Sequence, residues 1–145
     1  MSKTFTWNEA QTLLPVLESL LKRAQTSAEK ASELESEIQS LNHQIFLAGG
    51  MRIDVVAAVR RRSEREKAVQ EANDTLAEID SIGVQVADLE EGLLAFPCKL
   101  DGRLVLLSWQ LGEPTITSWH GEGEGYSERK PVDARFGRIE RERLN

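Results

Sequence analysis

The sequence predicts an α+β protein: a long antiparallel two-helix hairpin, coiled-coil-like, followed by a small antiparallel β-meander of three to four strands. Three observations carry this. Apolar residues step by threes and fours from Leu17 to Ile45, and a second run of the same period ends at Gly83. Beyond Gly83 the period falls to two, with Asp101-Gly102 set between two alternating apolar runs. The 145 residues suit a single domain, with the hairpin over residues 6–82, the meander over 84–120 and a loop or tail over 121–145.

The first helix opens on Thr6-Trp7-Asn8-Glu9. Threonine followed three residues later by glutamate is a capping box, in which each side chain takes the other residue's amide. Pro15 falls inside the helical pattern and removes the amide that would bond the Gln11 carbonyl, so a kink or a short lead-in helix is expected there. The seam then reads Leu17, Leu20, Ala24, Ser27, Ala31, Leu34, Ile38, Leu41 and Ile45. It is the stripe a helix buries against one partner. Leu14, Leu21 and Ala28 widen that stripe beyond what one helix needs, enough to cover the meander or to meet a second copy.

Gly49-Gly50 ends the first helix, and Gly83 ends the second. The second seam reads Val55, Ala58, Arg62, Arg65, Val69, Ala72, Leu76 and Ile79. Folding about the glycine pair opposes residues whose numbers sum to about 100, which sets Arg65 against Glu35. The run Arg60, Arg61, Arg62 and Arg65 is then either a set of cross-helix ion pairs or an arginine patch that receives an acidic partner.

In the meander, Asp-Gly pairs Leu100 with Arg103. Pro114 has no amide for a two-residue loop, so a three-residue loop pairs Leu111 with Thr115 and begins a strand over residues 115–120. One face then carries Leu94, Phe96, Cys98, Val105, Leu107, Trp109, Leu111 and Trp119, and should pack on the helices. The other carries Ala95, Pro97, Lys99, Leu104, Leu106, Ser108, Gln110, Ile116, Ser118 and His120. It is more apolar than a solvated face needs, which points to cover by the C-terminal segment or by another molecule.

Net charge is −6, and an acidic chain repels phosphate backbones. Nucleic-acid binding through Arg60–Arg62 or the basic tail (Arg135, Arg138, Arg141, Arg143) is therefore disfavoured. Cys98 is the single cysteine, so neither an intrachain disulfide nor a multi-cysteine metal site can form. No apolar run suits a signal peptide or a membrane span, and the cytoplasm is the expected compartment.

Only one local cluster has the side chains of an active site: His120, Glu122, Glu124, Tyr126 and Arg129, beside Trp119. His120 with the two carboxylates could hold a divalent metal, while Arg129 and Tyr126 could hold an anionic group. No standard metal spacing is present, and no cofactor is expected. Glu113 lies at the far end of the same strand from His120 and is expected to cap the Gly-Glu-Pro turn. His43 is expected on an exposed helix face, and Cys98 as inert packing. The expected function is non-enzymatic: an interaction or assembly module that forms a homodimer through the hairpin, with a further protein partner possible. The alternative is a small metal- or anion-dependent enzyme or ligand binder around His120 and Arg129.

Short pieces in order along the chain resemble a small bacterial family catalogued as domain of unknown function 2203. They are Lys3-Thr-Phe-Thr, Glu9-Ala10, Leu13-Leu14-Pro15, Gly83-Val84, Asp88, Gly92-Leu93, Phe96-Pro97 and Gly102-Arg103. Trp109, Leu111-Gly112-Glu113, Trp119-His120, Gly125-Tyr126, Arg129 and Pro131 follow. The resemblance implies one domain with helices first and a β segment last, and implies no activity. Members of the family often carry cysteine where this chain has Ser108.

Overall fold

The computed structural model describes residues 3–47 and 55–137. The Gly49-Gly50 turn and the basic tail from Arg138 onward lie outside them. Two long helices, α1 (Trp7–Leu47) and α2 (Val55–Ile82), pack together. Five strands follow in an antiparallel sheet: β1 (Gln85–Asp88), β2 (Leu93–Leu100), β3 (Arg103–Gln110), β4 (Ser118–Gly121) and β5 (Lys130–Pro131). Spatial order equals chain order, so the sheet is a meander, one strand larger than expected. No described helix is long and apolar enough to cross a membrane.

The capping box forms in full. The Glu9 amide donates to Thr6 Oγ1 at 3.1 Å, and the Thr6 amide donates to Glu9 Oε1 at 2.9 Å. α1 runs unbroken through Pro15, with no separate lead-in helix.

The chain divides into two compact units, Met1–Leu21 with Leu76–Asn145, and Lys22–Thr75. In the first unit one apolar cluster joins Leu14, Leu17, Leu21, Ile79 and Val84 to the sheet face of Leu94, Phe96, Leu107 and Trp109. The sheet registers are those expected. Leu100 pairs with Arg103, and Leu107 with Trp119, the same register that a Leu111–Thr115 loop closes. Asp101 and Gly102 both take positive φ (52° and 78°), as the tight hairpin turn demands. Pro97 sits within β2 without loss, because its carbonyl accepts the Phe5 amide at 2.7 Å. A strand residue's amide and carbonyl point the same way, so the missing N–H faces away from β3.

One residue changes side. β4 starts at Ser118, not at residue 115, and Ile116 enters the helix-facing core instead of the second face. The cause is long-range: the Trp7 indole donates to the Ile116 carbonyl at 2.8 Å, and Gln11 Oε1 accepts the Ile116 amide at 3.0 Å. Satisfied by α1, this stretch leaves the ladder early.

In the unit Lys22–Thr75, α1 uses its expected seam, with Ala24, Ser27, Leu34 and Ile38 buried. α2 keeps Arg65 and Ala72 of its expected seam, but Arg61, Ala68 and Thr75 take the places of Arg62, Val69 and Leu76, one position away. Val69 stays 43% exposed. Small side chains fit where two helices approach closely, so Ala68 and Thr75 displace their bulkier neighbours from the seam. Thr75 satisfies its hydroxyl on the Glu71 carbonyl at 2.8 Å. Register is as expected: Arg65 pairs with Glu35, and Arg61 with Glu37 at 2.8 Å. These pairs are about half exposed, and each contributes under ~1 kcal/mol. Arg62 is exposed and reaches Asn42 at 3.4 Å.

Candidate functional site

β4 alternates, so Trp119 and His120 leave it on opposite faces. His120 is 7% exposed, and its Nδ1 lies 3.0 Å from the Gly121 carbonyl. A carbonyl only accepts, so this contact calls for a proton on Nδ1. The same face holds buried Ser108 and Ser118, directly opposite each other across β3 and β4. Tyr126, on a short 3-10 turn (Tyr126–Glu128), points its hydroxyl at Gln110 Oε1, 3.5 Å away. Arg129 lies on the Tyr126 ring, 4.3 Å from its centroid, and donates to the Tyr126 carbonyl at 3.3 Å. Tyr126 and Arg129 are thus in direct contact.

The two glutamates go elsewhere. Glu124 and Glu122 line a cleft of about 540 Å³ with Asp101, Arg103, Trp119, Lys130 and Arg135. Glu124 Oε1 accepts the Gly121 amide at 2.7 Å and Lys130 Nζ at 3.0 Å. Among the described residues no group of three or more His, Cys, Asp or Glu side chains gathers as a cation requires. His120 is not among the residues that line this cleft.

Trp119 organises the cleft. Its indole donates to the Pro131 carbonyl at 3.1 Å, which holds β5 beside β4. Lys130 and Arg135 sit 4.8 and 5.5 Å from its ring centroid. Arg135 also forks onto Asp133 at 2.8 Å and reaches Asp101 at 3.7 Å, and Asp133 holds its pKa above the ordinary value. The Gly121 amide, then Lys130, hold the Glu124 carboxyl below its ordinary value of 4.5. A carboxylate depressed on folding adds stability above that ordinary value and loses it as pH falls through the lower folded one. Acid titration of Trp119 fluorescence should therefore show a transition below pH 4.5 that Glu124→Gln removes. As a chemical site the cleft is poor: its charges are mostly paired, and its lining includes no His, Ser, Cys or Tyr.

A second hollow of about 340 Å³ lies between Gln11, Glu18, Trp109 and Glu113. Its polar groups are engaged by the fold. Glu113 Oε1 accepts the Gln110 amide at 2.7 Å, and the Glu113 carbonyl accepts the Trp109 indole at 2.9 Å, the turn cap expected of it. Trp7 and Gln11 escaped the sequence reading because their partners are more than 100 residues away.

The expected interaction surface divides as well. Leu14 and Leu21 are buried in the chain's own core, so they offer no face to a second copy. They cover the sheet instead, the other use open to them. Arg61, Arg62 and Arg65 are bound within the hairpin. Arg60 instead shares an outward groove of about 480 Å³ on α2 with Val56, Val59, Ser63, Glu64 and Lys67. Val56 and Val59 are 68% and 57% exposed, and Phe46 and Leu47 of α1 are 80% and 70% exposed.

Residues 3–132 match the family model described as "Uncharacterized conserved protein (DUF2203)". No curated protein and no solved structure matches the chain.

Proposed function

The chain belongs to the DUF2203 family, whose model spans residues 3–132, and from that premise we propose that it is a non-enzymatic module that self-associates through its helical hairpin. One observation carries the reading: exposed Phe46, Leu47, Val56 and Val59 lie in a unit whose own seam is built largely of alanine, serine and threonine. A seam of small side chains buries little apolar area, and two helices alone make a weak core. A second hairpin would complete a four-helix bundle and cover those side chains, and twofold dimers are the commonest assembly. Charge permits it, since residues 22–75 hold nine basic and nine acidic side chains while the whole chain carries −6. The reading requires no metal or cofactor.

Sedimentation equilibrium is the test. The wild-type chain should approach twice its 16.2 kDa mass as concentration rises. The Val56→Glu, Val59→Glu double variant should stay at the monomer mass with unchanged helical circular dichroism. A wild-type protein that remains monomeric at several hundred micromolar sinks the proposal.

A further inference from the structure

We infer that the second copy docks along the outer stripe of α2, antiparallel, with Arg60 of each chain against Glu64 of the other. This rests on the self-association reading and names its surface. Positions 56, 59, 60, 63, 64 and 67 recur at helical spacing and form one face of α2, which the groove of about 480 Å³ follows.

The arginine cluster shows which face is spoken for. Arg61 and Arg65 pair with Glu37 and Glu35, and Arg62 reaches Asn42, all within the chain. Arg60, Glu64 and Lys67 have no hydrogen-bond or ion-pair partner among the described residues. Their charges stand beside exposed Val56 and Val59.

Self-complementarity then selects the direction. A parallel twofold pairing sets Arg60 on Arg60 and Lys67 on Lys67, and like charges in contact repel. An antiparallel pairing whose axis passes beside residues 62 and 63 opposes residues whose numbers sum to about 124–126. Arg60 then meets Glu64 twice, once on each side of the axis. Val59 meets the aliphatic stem of Lys67, and Ser63 crosses itself, small enough to let the helices close. Isologous contact closes on itself, so the assembly stops at two chains.

Charge exchange tests this in the full chain. Arg60→Glu and Glu64→Arg should each weaken the dimer about a hundredfold, since each places two like-charge pairs at the axis. The combined Arg60→Glu, Glu64→Arg variant should return to within a few-fold of wild type. Both positions are on the surface, and circular dichroism will show that each variant is folded. Silent single variants in a protein that still dimerises overturn this surface and leave self-association standing. Additive loss in the double variant also overturns it. A wild-type chain that never dimerises removes both readings together.

Discussion

Truncating Trp109 to alanine should destabilise the sheet-bearing unit by about 3–5 kcal/mol, the range for a fully buried large aromatic. The side chain is 1% exposed and stands opposite Leu94, itself buried, on the face that meets α1 and α2. Two losses add. The cavity cannot collapse readily, because the strand backbones on either side are fixed by the ladder. The Glu113 carbonyl also loses the indole N–H that binds it at 2.9 Å, in the turn that leads to β4. An orphaned acceptor costs about 1–3 kcal/mol if water cannot reach it. Domains of this size hold roughly 5–15 kcal/mol in all, so the variant should be near the margin of folding. Trp109→Phe separates the two losses, keeping most of the volume and surrendering the N–H. The urea midpoint measures both, and a loss under about 1 kcal/mol for the alanine variant would contradict this account.

Phe136→Ala should cost about 3 kcal/mol, at the lower end of the same range. Phe136 is 2% exposed, and its ring centre lies 5.8 Å from that of Trp119. It is the apolar anchor of a segment otherwise rich in charge. The ion pairs of Arg135 with Asp133 and Asp101 also span this turn, but their side chains are 38–67% exposed. Pairs so exposed are screened by water and contribute little, whereas burying a phenylalanine contributes roughly 1.5–3 kcal/mol. The ring therefore dominates. Arg135→Ala should move the urea midpoint little, while Phe136→Ala should lower it clearly and shift Trp119 emission to the red as water reaches the indole.

Phe136 also marks where sequence reasoning stopped. A lone aromatic among charged residues has no period, and the two-residue strand β5 is too short to show one. Two local rules were obeyed: Thr6 with Glu9 capped the helix, and Asp101-Gly102 set the hairpin register. The seam of α1 was legible because large and small apolar residues fell on one stripe. Half of the α2 seam, Arg65 and Ala72, was legible too, and the other half was displaced by one position because hydropathy ranks Val69 and Leu76 above Ala68 and Thr75. Close packing ranks them the other way. Ile116 was misplaced for a third reason, since its partners Trp7 and Gln11 are invisible to any local window. In the candidate site, alternation along β4 separated Trp119 from His120 correctly. The pairing of Glu124 with Lys130 depends on β5 folding back, and no spacing rule encodes that.

The bonds from Trp7 and Gln11 to Ile116 carry a consequence for synthesis. Trp7 and Ile116 are 109 residues apart in the chain. A ribosome adds about 5–20 residues per second, so the start of α1 waits roughly 5–20 seconds for its sheet partners to emerge. During that interval Leu14, Leu17 and Leu21 have no sheet to cover them. The nascent chain thus presents a leucine-rich helix face long before it can bury it.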